Sequence, residues 1–181
     1  MKARTILCYP MPERGHFYPF FHVAKQLQSR GHRLVFLGPA DLRDHAVAEG
    51  FDFLCVLEDL LPQGYLEKRE AVLSGTSGIS RLRHLMRYQR EITQVFEQTI
   101  LRGATDAAIE KLSPDLILAE AFAPVGALVA HRLGIRAMKD RLVREQSTDV
   151  GADAIEMVLE QPDLLRTPGA LKARVAGKRV H

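Results

Sequence analysis

Short apolar runs and helical periodicities alternate along the N-terminal two thirds of this chain. RTILCYP (4–10), RLVFLG (33–38), FDFLCVL (51–57) and SPDLILAE (113–120) are runs of strand length with little polar interruption, as expected of strands buried on both faces. IRAM (135–138) reads as the start of a fifth strand. Between the runs the spacing changes. In YPFFHVAKQLQSRG (18–31), Phe20, Val23, Ala24 and Leu27 recur on one helical face, Pro19 suits a first turn, and Gly31 suits a helix end. His22 falls on the outer side of this helix. ADLRDHAVAEG (40–50) predicts a short helix with Asp41 as its cap and Gly50 as its stop. YLEKREAVLSG predicts a partial helix.

The longest periodic segment is ISRLRHLMRYQREITQVFEQTILRG (79–103). Ile79, Leu82, Met86, Ile92, Phe96 and Ile100 fall broadly on one side, so Met86 and the helix-spaced leucines are expected in the core. ATDAAIEKL (104–112) continues as a helix bent near Gly103, and APVGALVAHRLG (123–134) is a further helix ending at Gly134. Strands separated by helices imply parallel pairing through right-handed crossovers. The expected fold is α/β, a doubly wound, Rossmann-like parallel sheet in the order 3-2-1-4-5 with helices on both faces. The pattern changes after Met138. KDRLVREQSTDVGAD (139–153) is polar and lacks apolar rhythm. ADAIEMVLEQPDLL (152–165) predicts a helix stopped before Pro162, and PGALKARVAGKRVH (168–181) a last basic helix. The division expected is one domain over 1–138, with 139–181 a linker and helical tail packed on it.

Composition narrows the function classes. The 181 residues are 46% hydrophobic and 26% charged, with a formal net charge of +3, an excess too small to argue for nucleic acid. Cys8 and Cys55 lie in apolar runs and read as small buried hydrophobes; no zinc spacing exists. The first apolar run stops at Pro10, too short for a signal peptide, and no stretch reaches membrane-spanning length, so a cytoplasmic location is expected. RLRHLMRYQR (81–90) places Arg81, Arg83, His84, Arg87 and Arg90 on one helix. A solvated face is the plain reading, and contact with an anionic membrane surface the sharper one. With only Tyr88 interleaved, RNA is disfavoured.

Ligands of doubly wound sheets bind beyond the carboxyl ends of the strands, where the order reverses. That point lies between strands one and four. His16, in the loop after strand one, and Glu120, ending strand four, become neighbours across it. An imidazole can take a proton from a hydroxyl, and a carboxylate on its far nitrogen would fix the tautomer and stabilise the imidazolium as it forms. A helix start beside His16 disfavours a resting positive charge there. Position alone leaves the plain readings open: a loop histidine can cap a helix or face water, and a carboxylate before AFAP can favour a helix N-terminus. Asp41 invites comparison with a ribose-binding acid, but there is no G-x-G-x-x-G and no Walker loop, so helix capping is the better reading.

ILCYPMPERGHFYPFFHVAKQLQSRGHRLVFLGP followed by GFDFLCV, and later SPDLILAEAFAPVGALVAHRLGIRAM, resemble the N-terminal domain of GT-B UDP-glycosyltransferases, the macrolide and natural-product group. The resemblance rests on Gly15, His16 and Pro19, on Arg30, Gly31 and His32, on Pro114 and Asp115, and on the Leu-Gly-Ile at 133–135; it covers about residues 4–138. It implies that His16 is the general base toward an acceptor hydroxyl. Glu120 stands where many members carry an aspartate, an extra methylene that alters its reach. Gly15, Phe17 and Phe122 are implied to meet the acceptor, with segment 64–78 supplying loop residues to its pocket, and His32 is structural. It also implies a UDP-sugar donor, direct displacement with inversion, and a small-molecule or lipid acceptor. The donor-binding C-terminal domain has no counterpart here, so no cofactor site is expected within the chain. Its place would fall near residues 140–150, with closing helices kept, and a partner chain or second copy would supply donor binding. The alternatives are an acceptor-binding or structural remnant without turnover and, less favoured, an unrelated nucleotide-binding module.

Overall fold

The computed structural model describes residues 2–12, 14–120, 124–139 and 148–161. Its centre is one parallel sheet of five strands: β1 (Thr5–Tyr9), β2 (Arg33–Gly38), β3 (Asp52–Cys55), β4 (Leu116–Ala119) and β5 (Ala137–Lys139). The order is β3-β2-β1-β4-β5, as the alternation of elements predicts. β1 lies between β2 and β4, with Leu7 opposite Val35 on one side and Ile117 on the other. All four residues of β4 are buried, which is why the run carries no polar alternation.

The helices are α1 (Arg14–Ser29), α2 (Ala40–Ala48), α3 (Tyr65–Ser74), α4 (Gly78–Phe96), α5 (Asp106–Leu112), α6 (Pro124–Arg132) and α7 (Thr148–Glu160). A wide π turn, Glu97–Leu101, follows α4. Two cores result. On one face Ile6, Cys8, Phe36 and Leu118 meet Phe20, Ala24 and Leu27 of α1 and Ala152, Ile155 and Val158 of α7. On the other, Leu7, Val35, Leu37 and Ile117 pack against Ile109 of α5 and Val129 and Ala130 of α6. α6 approaches the sheet closely at Gly126, where a Cβ would come within 2.7 Å of the Tyr9 ring and 2.8 Å of Ala119 Cβ; only glycine fits.

The segment after Met138 is not uniformly linker-like: α7 begins at Thr148, inside the stretch expected to lack rhythm. The helix is fastened to the residues that follow α1. Arg30 Nη1 donates to Asp153 at 2.7 Å and Glu156 at 2.8 Å, and the buried His32 lies 3.3 Å from Glu156. Arg136 also donates to the Leu159 carbonyl at 3.0 Å. The Arg-Gly-His turn thus has a structural use. The expected basic helix at 168–181 lies outside the described residues.

Three further expectations need correction. α1 starts at Arg14, not near Tyr18, so Pro19 is an interior residue and forfeits the hydrogen bond to the Gly15 carbonyl. α4 buries none of its residues: Ile79 is 72%, Leu82 57% and Met86 55% exposed. Periodicity marks which side of a helix is apolar but not what covers it. Cys8 is fully buried, but Cys55 is only partly so; its thiol donates to Glu58 at 3.2 Å and is pushed up by burial and by that carboxylate.

Candidate active site

The carboxyl ends of β1 and β4 point to one corner of the molecule, and each delivers one functional group to it. After β1 the chain runs through Pro10 and Pro12 into α1. His16 is the third residue of that helix, in its first turn rather than in the loop before it. After β4, the Glu120 N–H donates to the Tyr9 carbonyl at 3.2 Å, extending the β1–β4 pairing one residue beyond the strand. This fixes the Glu120 backbone beside β1. Its side chain is wholly buried, and its Oε1 lies 3.1 Å from His16 Nδ1. The methylene that distinguishes glutamate from aspartate does not prevent contact.

An ionised carboxylate only accepts hydrogen bonds, so beside it a neutral imidazole would carry its proton on Nδ1 and leave the lone pair on Nε2. The imidazole side chain is 32% exposed while its partner is 0% exposed. The arrangement is a partly exposed ring held from behind by a buried carboxyl group. Such a ring can accept a proton at Nε2 and share the resulting charge with the carboxylate.

A cleft of about 730 Å³ lies close by along the chain; its lining includes the two residues that flank His16 but neither His16 nor Glu120. Gly15 and Phe17, on either side of His16 in sequence, both line it. Gly15 is exposed. Phe17 is a core residue, 2% exposed, its ring 5.4 Å from that of Phe21 and 5.2 Å from that of His45. Phe122 lies outside the described residues. The remaining wall is mixed: Asp44 and His45 of α2, Glu67, Arg69 and Glu70 of α3 and Arg81 of α4 stand beside the apolar Leu66 and Leu73. Segment 64–78 does reach the cleft, but largely as a helix rather than a loop.

That helix is held by Asp41. Its carboxylate accepts from the N–H of Gly64 and, at 2.8 Å, from that of Leu66, the first-turn donors of α3. Asp41 is therefore a cap, though of α3 and not of its own helix, which has no side-chain cap. Sequence periodicity could not reveal this, since the two helices are joined only through β3 and a loop. The same holds for His45 and the acids that line the cleft: nothing in the sequence marks them until α2 and α3 come to share it.

A second cavity, of about 280 Å³, lies over the ends of β1 and β2 and is nearly all apolar. Its lining includes Tyr9, Met11, Val56, Ile92, Val95 and Phe96, so the C-terminal half of α4 is its lid. Leu57, also lining it, has φ +59°, a left-handed conformation uncommon for leucine; its carbonyl accepts from Leu60 and Leu61. Burial pushes the Tyr9 phenol up to about 12. Among the described residues no group of three or more His, Cys, Asp or Glu could hold a metal ion, and no helix is long and apolar enough to cross a membrane.

A doubly wound sheet in this order, with a histidine–carboxylate pair at the point where the order reverses, has the Rossmann-like fold of GT-B glycosyltransferases. Comparison with solved structures supports that fold. The chain is similar to CalG4, the calicheamicin glycosyltransferase (22% identity, TM-score 0.50, covering 77% of this chain and 30% of that one). It is also similar to the glycosyltransferase SnogD from Streptomyces nogalater (16%, TM-score 0.53, 76% and 33%). A third is Arabidopsis thaliana UGT89C1 complexed with UDP-L-rhamnose (19%, TM-score 0.51, 77% and 36%). The chain thus spans about a third of the length of these proteins. No protein-family model matches it, and no curated protein matches it in sequence.

Proposed function

We propose that this chain is the acceptor-binding, base-bearing part of a glycosyltransferase that uses a UDP-sugar. The observation that carries the reading is the 3.1 Å contact between His16 Nδ1 and the buried Glu120 at the β1–β4 switch point. An acceptor in the neighbouring cleft presents a hydroxyl to Nε2 of His16. The proton passes to Nε2 as the oxygen attacks the anomeric carbon, and the bond from that carbon to the diphosphate breaks. UDP departs with the electron pair. Glu120 holds the imidazole in the tautomer that leaves Nε2 basic, and offsets the charge the ring gains. The cleft and the apolar cavity share Pro12 in their linings, which suits an acceptor with a polar end and an apolar body.

The donor comes to this reading from the fold: one neighbour is complexed with UDP-L-rhamnose. Donor binding is assigned to a second polypeptide or domain. The test is transfer from UDP-sugars to a panel of hydroxylated aromatic and macrocyclic acceptors, followed by product mass. It is run with the chain alone and with a donor-binding domain added. Replacing His16 with alanine should lower the rate by about 10²–10⁴-fold, the usual worth of a positioned base. An unchanged rate would remove His16 from the chemistry. A chain that binds acceptors but never turns over with any donor partner would favour the remnant reading.

A further inference from the structure

α4 is the element that the proposed reaction leaves least explained. It is nineteen residues long and buries none of them. Its two halves differ. In the C-terminal half Tyr88, Ile92 and Val95 face the apolar cavity. In the N-terminal half Ile79, Leu82, Leu85 and Met86 are 72%, 57%, 43% and 55% exposed. At 3.6 residues per turn those four fall within an arc of about 120°, which adjoins the cavity-facing side at Leu85 and turns away from it through Leu82 and Met86 to Ile79. Arg83, Arg87 and Arg90, all exposed, continue the arc along one edge, and Arg81 stands near the other. From Gly78 to Arg90 there are four arginines and no acidic residue.

We infer that the outer face of the N-terminal half of α4 docks on an anionic lipid surface. The charge pattern argues for that occupant. A face meant for solvent would not expose four large apolar side chains in one stripe. Basic side chains edging such a stripe match a layer whose headgroups are negative and whose acyl region lies just beneath. In the docked pose Leu82 and Met86 enter the acyl boundary, and the arginine stems lie along the apolar surface while their guanidinium groups reach the phosphates. Arg81 also lines the cleft, so docking brings the cleft mouth to the lipid headgroups. The inference does not depend on sugar transfer.

The experiment is co-sedimentation of the 181-residue chain with vesicles of phosphatidylcholine alone and of phosphatidylcholine mixed with phosphatidylglycerol. The expected result is pelleting with the mixed vesicles only, reversed by salt. Each basic side chain near an anionic surface contributes about fivefold to partitioning, so Arg83→Gln with Arg90→Gln should weaken it about 25-fold. Leu82→Ser with Met86→Ser should abolish it without lowering the melting temperature, because both side chains are more than half exposed. No pelleting with mixed vesicles, or equal pelleting with neutral ones, would overturn the inference. So would light scattering that shows a dimer which Leu82→Ser dissociates, since the face would then belong to a second copy.

Discussion

Asp115 shows how much one side chain can hold at this sheet. It follows Pro114 at the entrance to β4, and its carboxylate accepts from the Thr5 N–H at 2.9 Å and from Arg4 at 2.7 Å. One residue therefore sets the start of β4 against the start of β1. Burial alone would push its carboxyl up, but the Thr5 N–H and the Arg4 guanidinium hold it below the ordinary value of 3.8. A carboxylate depressed in the folded state contributes stability that is complete above its unfolded value. That contribution is lost as pH falls through the folded one. Thermal melts from neutral to acid pH should show Asp115→Asn less stable at neutrality, with the gap to wild type closing below about pH 4. A gap constant with pH would mean the residue acts through shape alone. Pro114 and Asp115 stand out in the sequence as part of the resemblance at the start of the SPDLILAE run. The bond that Asp115 accepts from Thr5 does not, because 110 residues separate the two. His16 and Glu120, 104 residues apart, are legible as neighbours only because the strand order can be predicted, and that order carries both to one crevice.

At the scale of elements, the sheet and its crossover helices followed from run length and period, and the departures came where another element decided the outcome. α1 runs on toward its N-terminus through Gly15 and His16 despite Pro19. α3 forms fully because Asp41, on α2, supplies a cap that its own sequence lacks. α7 starts early within a polar stretch because its apolar positions, from Ala152 to Leu159, face α1. The fastening of α7 can be measured. Glu156 is buried with His32 and bonded to Arg30, so Glu156→Ala leaves buried groups without their anion and should cost about 3 kcal/mol. Asp153 is a third exposed, and Asp153→Asn should cost under about 1 kcal/mol. Amide exchange across 152–159 would quicken in the first variant and barely change in the second. Equal effects would show that the burial of Ile155 and Val158, not the ion pairs, holds the helix.

At the scale of the whole molecule, two faces have been given uses: the corner where β1 and β4 end, and the outer stripe of α4. The first is built from groups whose positions the topology dictates. The basic residues of the second are legible in the sequence, but the exposure of its apolar stripe shows only in three dimensions, since the same periodicity would serve a buried helix equally well. The chain spans about a third of the glycosyltransferases it is similar to, so sugar transfer by it is a reading of one corner of the molecule. That reading rests on His16 being a base held by Glu120. The proton positions on the ring test it directly, with no donor or acceptor needed. Long-range ¹⁵N–¹H correlation spectra of the histidine rings at neutral pH should show His16 as the Nδ1–H tautomer, with an unprotonated Nε2, and Glu120→Ala should abolish that preference. His16 found with its proton on Nε2, or a tautomer indifferent to Glu120, would contradict the account.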